Sequence, residues 1–504
     1  MSPRTARALH PAIPDRDRPA PPVAALAPLV LDLDGTLLRT DLLVEGVLAL
    51  LRRNILMLFP LLLWFLSGKA HLKRQVAQRA GLDIATLPAN EALVAYALEE
   101  KARGREIVLA TAADELLARR VAERFGFIDR VLASDGQTNL NGEAKAARLR
   151  ALFPQGFHYA GDSRADLAVW KDADHVILVE PEPEIARAAR KLGRPVTEFP
   201  PLSVARALLK GFRLHQWAKN ALVFLPLVLD GKAGSGSAWL AAGSAFLALG
   251  LVASASYLLN DLWDLPHDRA HWSKQKRPLA SGRLPLRTGA LGAVAGLSLG
   301  MAIGSMVSGG VVLALFAYLM LTLTYSVSIK RIPILDAVTL GALFSLRIAI
   351  GVMAVQAMWS PWLLTFSMFL FTSLSFAKRH VEMRGALKSG KDGKLAGRGY
   401  QSADEPIILA FGVAAGIASV VIFILYLNQE AFRNAALTAP LLLWAFPPAL
   451  SLWIGRIWIL AGREELHDDP VAFAVKDRVS LALGAIVGLA FLLAATGLPF
   501  GLSA

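Results

Sequence analysis

The chain has 504 residues, 55% apolar and 18% charged, with a net charge of +13 and no cysteine. That length fits two or three domains; a composition this apolar excludes a wholly soluble protein, and the lack of cysteine excludes disulfides and thiolate chemistry. The positive charge does not point to nucleic acid, because much of it lies in short loops between apolar segments, as in a membrane protein.

Residues 1–28 are rich in Pro, Ala and Arg and lack an apolar signal core, so a disordered cytoplasmic tail with no cleaved signal is expected. Residues 29–200 read as a soluble α/β domain. Short apolar runs at 29–33, 107–110, 158–160 and 176–179 look like buried strands, and helical stretches separate them. A helical insert spans about 41–100. It contains ILMLFPLLLWFL at 55–66, too short to cross a bilayer and flanked by Arg52, Arg53, Lys69, Lys73 and Arg74. That run is either the ordinary core of a cap or an interfacial membrane anchor. A helix at 184–192 and prolines at 181 and 201 mark the domain's end.

Four polar elements punctuate this domain. Asp32-Leu33-Asp34-Gly35-Thr36 follows the first apolar run. An Asp at a strand end can attack phosphorus, and a second Asp two residues on can serve as acid and then base. Thr111 follows the second run, Lys145 opens a helix after Gly142-Glu143, and Gly161-Asp162-Ser163-Arg164-Ala165-Asp166 follows the third. In this order they resemble the haloacid dehalogenase-like (HAD) phosphatases. The resemblance implies a Rossmann-like α/β fold with a helical cap at 41–100. It implies Asp32 as nucleophile, Asp34 as acid/base, and Thr111 and Lys145 as phosphoryl holders. Mg²⁺ would sit on Asp32, Asp162 and the main-chain carbonyl of Asp34, with Asp166 as a further ligand or orienting group.

Residues 201–504 read as an all-α polytopic membrane bundle. Nine apolar segments lie near 214–230, 238–259, 288–307, 309–328, 334–355, 361–377, 406–427, 436–455 and 479–502. The first is short and would need local bilayer thinning. With residues 1–213 cytoplasmic, the even-numbered loops hold nineteen Lys and Arg, whereas the opposite loops hold only Lys232 and Arg433. The positive-inside rule therefore puts the even loops in the cytoplasm and the C-terminus outside, in a bacterial plasma membrane. The loop from 378 to 398, with Lys388, Lys391 and Lys394, contributes to that bias.

The second segment ends on Asn260-Asp261-Leu-Trp-Asp264-Leu-Pro-His-Asp268, followed by Arg269, Lys274, Lys276, Arg277 and Arg283. The three Asp share roughly one helical face and suit a hard divalent cation, while the basic loop suits phosphate oxygens. Further polar groups gather at the same membrane side: Arg213, Gln216, Trp217, Lys219 and Asn220; Tyr325, Lys330 and Asp336; and Lys378, Arg379 and Glu382. Arg347 lies several turns inside an apolar segment, where a charge is costly. It is either a structural partner of a buried carbonyl or an anion ligand.

The elements R-x-x-Q-W-x-K-N at 213–220, N-D-x-x-D-x-x-x-D at 260–268, K-R-P-L-A-S-G at 276–282 and Y-S-x-x-x-K-x-x-x-x-L-D at 325–336 resemble the UbiA superfamily of intramembrane prenyltransferases. So do K-R-x-x-E at 378–382, R-G-Y at 398–400 and D-D-P-V-x-F-A at 468–474. The likeness is strongest to the polyprenyl-phosphate phosphoribosyltransferases, such as decaprenyl-phosphate phosphoribosyltransferase. The second D-x-x-x-D of most family members is missing; Asp336 stands alone there. The resemblance implies phosphoribosyl pyrophosphate as donor, polyprenyl phosphate as acceptor, and Mg²⁺ on Asn260, Asp261, Asp264 and Asp268. Arg213, Gln216, Lys219, Asn220, Lys276, Arg277, Tyr325, Lys330, Asp336, Arg347 and Lys378 would bind substrate. The fused phosphatase would then remove the 5-phosphate, on the way to cell-envelope arabinose donors. An aromatic or quinone-type prenyltransferase is the nearest alternative, and a lipid-binding or transport protein with a regulatory phosphatase the next. Oligomeric state is left open.

Overall fold

The computed structural model describes residues 26–388, 395, 398–433, 437–466 and 470–496. The tail before residue 26, Lys391 and Lys394 of the basic loop, Asp468 and Asp469 of the late motif, and the C-terminus lie outside them. The chain forms two compact units, Met1–Leu202 and Ser203–Ala504.

The first unit is built on a six-stranded sheet of β1 (Leu29–Leu31), β2 (Ile107–Asp114), β3 (Arg130–Ser134), β4 (His158–Gly161), β5 (His175–Val179) and β6 (Val196–Phe199). All pairs are parallel and the order is β3-β2-β1-β4-β5-β6. Residues alternate between faces along a strand. Leu29, Leu31, Ile107 and Leu109 accordingly pack in one core, and Val30, Val108, Ala110, Tyr159 and Trp170 in the other. The edge strands β3 and β6 are only five and four residues long, partly exposed and interrupted by charge. They therefore carry no continuous apolar run to betray them in the sequence. The chain leaves β1 in one direction for β2 and β3, then returns to β1's other side for β4. That reversal opens a crevice at the carboxyl ends of β2, β1 and β4, where doubly wound sheets place their ligands.

The helices of this unit are α1 (Leu42–Arg53), α2 (Leu58–Leu66), α3 (Lys69–Arg79), α4 (Glu91–Ala102), α5 (Glu115–Phe125), α6 (Glu143–Leu152), α7 (Leu167–Trp170) and α8 (Pro183–Arg190). The first four fill the insert between β1 and β2. The Asp41 carboxylate caps α1 by accepting from the amides of Leu43 and Val44.

The second unit is helical: α9 (Val204–Gly211), α10 (Leu225–Leu229), α11 (Gly236–Trp263), α12 (Leu265–Ala270), α13 (Leu286–Val307), α14 (Gly309–Val327), α15 (Leu335–Val355), α16 (Pro361–Lys388), α17 (Glu405–Gln429), α18 (Phe446–Gly462), α19 (Pro470–Ala474) and α20 (Arg478–Thr496). Among the described residues seven segments are long and apolar enough to cross a membrane: α11, α13, α14, α15, α17 and α18 with their preceding turns, and α20. Of the nine spans expected from the sequence, two are not among the seven. Residues 214–230 fold as a 3₁₀ segment, Leu214–Phe224, followed by the five-residue α10 with Pro226 in its first turn. The helix α16 has 28 residues, but buried Ser367, Thr372, Ser373 and Ser375 and its charged last turns dilute its apolar character.

The spans α11 and α15 are the most enclosed, each more than half buried. Small residues allow that closeness, as is usual between helices in lipid. At Gly351 of α15 an added Cβ would stand 2.2 Å from the carbonyl oxygen of Val223, so the 3₁₀ segment lies directly on α15's backbone.

Candidate active sites

In the α/β unit the crevice collects every polar motif. The Lys145 ammonium donates to Asp32 Oδ1 at 2.7 Å and to the Tyr159 hydroxyl at 2.8 Å. Tyr159 in turn donates to Asp166 Oδ1 at 2.6 Å, and the amide and hydroxyl of Ser163 donate to Asp166 Oδ2. The Thr36 hydroxyl holds Asp162 Oδ1 at 3.0 Å. Asp32, Asp162 and Asp166 place carboxylate oxygens within 4.8 Å of one another, the one such triad among the described residues. The glycine of the first motif is required by this packing. Gly35 has φ +80°, and a Cβ there would collide with the Asp162 carboxylate.

The electrostatics are those of a site short of positive charge. Burial lifts Asp32 to about 6 against the pull of Lys145, and raises Asp162 well above the usual carboxylate range. Burial, then repulsion from Asp41, lifts Asp34 to about 8, so this carboxyl carries a proton at neutral pH. Asp34 Oδ1 accepts from the amide of Leu42, which aims the group at the start of the cap. Thr111 is buried and its oxygen accepts from the amide of Ala113. Three clustered carboxylates beside a single buried lysine are an oxygen donor set suited to Mg²⁺.

In the helical unit a cavity of about 330 Å³ opens among α11, α14, α15 and α16. Arg213, Lys219, Lys274, Arg277, Lys330, Arg347, Lys378, Arg379 and Arg398 line it, and among its described lining residues only Asp264 is acidic. Asn260 and Tyr325 also face it, whereas Asp261, Asp268, Asp336, Asn220, Gln216 and Lys276 do not. Asp261 takes Arg213 at 2.5 Å and Arg277 at 3.0 Å, Asp268 takes Arg277 at 2.6 Å, and Asp264 takes Lys330 at 3.0 Å. The acidic turn thus supports the arginines, and only Asn260 and Asp264 reach the cavity wall.

Asp336 works from behind in the same way. It is fully buried and accepts from Arg379 Nε at 2.8 Å, Arg398 Nη1 at 3.1 Å and the Tyr400 hydroxyl. Arg398 also donates to the Tyr325 hydroxyl at 3.1 Å. Arg347 donates to neutral acceptors, the Asn220 side chain at 3.1 Å, the Leu343 carbonyl and the Tyr318 hydroxyl at 3.0 Å. Asn220 therefore holds Arg347 rather than the cavity's contents. Two backbone strains adjoin this wall: Arg213 at φ 51° and Ile334 at φ 66°. For Ile that conformation is unusual, and the Ile334 amide is tied to the Tyr400 hydroxyl.

Residues 29–171 match the haloacid dehalogenase-like hydrolase family and residues 231–393 the UbiA prenyltransferase family. An uncharacterised protein of Sinorhizobium fredii, y4nM, is 38% identical over 93% of this chain and 91% of its own length. The nodulation protein NoeC of Azorhizobium caulinodans is 34% identical over 56% of this chain and 91% of its own. The chain is a UbiA-family protein with an N-terminal HAD-like domain. Decaprenyl-phosphate phosphoribosyltransferase of Corynebacterium glutamicum is 32% identical over 36% of this chain and 57% of its own length.

Both families' motifs fall at the two sites just described. Lys274 and Arg379 were read from the sequence among the polar groups of this membrane side but not as substrate ligands, and Arg398 only as part of the phrase R-G-Y at 398–400; all three line the cavity. As a site residue Lys73 on α3 was also missed; its ammonium donates to the Ala112 carbonyl at 2.6 Å beside Thr111. The multi-pass UbiA domain makes this an integral membrane enzyme.

Proposed function

We propose that the UbiA domain transfers 5-phosphoribose from phosphoribosyl pyrophosphate to a polyprenyl phosphate, and that the HAD domain then removes the 5-phosphate. The observation that carries this reading is the cavity wall: nine cations and one carboxylate. Such a wall fits substrates bearing several phosphates. Asp336, where a second metal-binding pair would be looked for, is spent on Arg379, Arg398 and Tyr400. The name of the C. glutamicum relative, decaprenyl-phosphate phosphoribosyltransferase, supports the same transferred group and class of acceptor.

In the transfer step an oxygen of the lipid phosphate attacks ribose C1 while the bond from C1 to pyrophosphate breaks. The nucleophile is already anionic, so no protein base is needed. Lys219, Lys274, Lys330, Lys378, Arg379 and Arg398 would bind the phosphates, and Arg347 would meet an anion from the bundle's interior. Asn260 and Asp264 would hold Mg²⁺ from the cavity wall, joined by Asp261 and Asp268 once Arg213 and Arg277 turn to substrate. Bound there, the ion would neutralise the leaving pyrophosphate.

In the second step Asp32 attacks the 5-phosphate and the P–O bond to the ribose breaks. Asp34 gives its proton to the departing alkoxide. It then takes a proton from water, which cleaves the aspartyl phosphate and regenerates Asp32. Thr111 and Lys145 hold the phosphoryl oxygens. Asp32, Asp162 and Asp166 would hold Mg²⁺, which offsets phosphate charge. The excess of Lys and Arg in the even-numbered loops supports a cytoplasmic face for the transfer site. The test is transfer of labelled donor by Asp261→Asn and Asp264→Asn. Each should lose most activity, by about 10²-fold or more; near-normal rates would refute the site.

A further inference from the structure

The stretch Ile55–Leu66, a single turn followed by α2, leaves its apolar side chains in the open. Leu56, Phe59, Leu63, Phe65 and Leu66 are 55–73% exposed, and only Leu61 is buried. A lone surface leucine is ordinary, but a contiguous apolar patch of this density marks an interaction surface. At 1.5 Å per residue twelve residues reach about 18 Å, well short of the roughly 30 Å hydrocarbon layer, so the segment can lie on a bilayer but not cross it.

Its surroundings specify the partner. From Glu45 to Asp83 no acidic residue intervenes, while Arg52, Arg53, Lys69, Lys73, Arg74 and Arg79 do. Arg53, Lys69 and Arg79 are exposed. Arg79 lies over the Trp64 ring at 5.1 Å, an indole and a cation side by side as at a membrane interface. Basic side chains around an apolar helix match anionic headgroups above acyl chains. The same chain continues from Leu202 into the membrane domain, so the HAD domain is tethered to a bilayer by covalent linkage.

We infer that the Ile55–Leu66 helix docks the HAD domain onto an anionic bilayer, its apolar side chains lying in the headgroup–acyl boundary. Its successor α3 carries Lys73 to the wall of the phosphoryl pocket beside Thr111. On the phosphatase reading, which this consequence rests on, the docked cap restricts the HAD site to phosphates carried by lipid.

The chain has no cysteine, so a single Leu63→Cys or Phe59→Cys can carry an environment-sensitive fluorophore. The full chain is reconstituted in phosphatidylcholine–phosphatidylglycerol vesicles, with Glu99→Cys on exposed α4 as control. Lipid-borne nitroxide should quench the label at either α2 position about two-fold, at a depth of about 5–10 Å, and aqueous iodide should spare it. The Glu99→Cys label should show the reverse. Quenching of the α2 labels by iodide alone would overturn the inference, as would protection from both quenchers, which would mean a protein surface covers the helix. None of these readings depends on phosphatase turnover.

Discussion

Asp336 shows how a single buried carboxylate can serve a site without touching its contents. Its oxygens are spent on Arg379, Arg398 and Tyr400, two of which present cations to the cavity. Removing one member of a buried charge group leaves the others uncompensated and costs about 3–5 kcal/mol. Asp336→Ala should therefore destabilise the bundle by that amount, seen as a lower midpoint of thermal unfolding in detergent. Asp336→Asn keeps the shape and loses the charge, so the arginines lose their anchor. Its KM for the sugar donor should rise about ten-fold while the Mg²⁺ requirement stays where it was, because the residue positions arginines. A shifted Mg²⁺ requirement would contradict that role.

A second residue couples the α/β unit to pH. His158 stacks on His175 at 4.9 Å and accepts from Arg105 Nη1 at 3.2 Å, which requires the neutral ring. Burial first, then Arg105 and His175, lower it to about 4, with Glu100 and Asp174 opposing. The unfolded chain binds a proton near 6.5 and the folded one only near 4, so stability is lost as pH falls through that window. For a half-exposed ring the loss is roughly 1–2 kcal/mol. His158→Gln should flatten the fall between pH 6.5 and 4 in thermal unfolding of this unit. An unchanged slope would contradict it.

At the scale of elements, most of the HAD site was legible because its residues are tied to strand ends in short contiguous motifs. Asp32, Asp34, Thr111 and Asp162 stand out near strand ends, whereas Lys145 and Asp166 joined them only through the resemblance to the HAD phosphatases. Lys73 was not legible, because α3 is brought to Ala112 by the cap's packing, which no periodicity encodes. Tyr159 was hidden for the opposite reason: in β4 it reads as one more apolar strand residue, yet its hydroxyl links Lys145 to Asp166. In the membrane domain apolar length was readable but helical type was not. Residues 214–230 read as a short span, yet 214–224 carry His215, Gln216, Lys219 and Asn220 and fold as a 3₁₀ segment against α15. Gly351→Val tests that contact. It would force a side chain onto the Val223 carbonyl, and overpacking of this kind costs about 1–3 kcal/mol or more. The variant should unfold at lower temperature in detergent; an unchanged midpoint would mean the two elements have room to part.

For the whole molecule, the proposed function assigns the two domains successive phosphate chemistries with separate nucleophiles and separate charged walls. Asp32→Asn should abolish phosphatase turnover and spare transfer, and Asp264→Asn should do the reverse when supplied with ready-made phosphoribosylated lipid. The most direct measurement gives purified protein phosphoribosyl pyrophosphate, a polyprenyl phosphate and Mg²⁺ and weighs the lipid by mass spectrometry. The wild-type lipid should gain a ribose, and that of Asp32→Asn a phosphoribose. A lipid that gains neither, or a prenyl group transferred to an aromatic acceptor instead, would contradict the account.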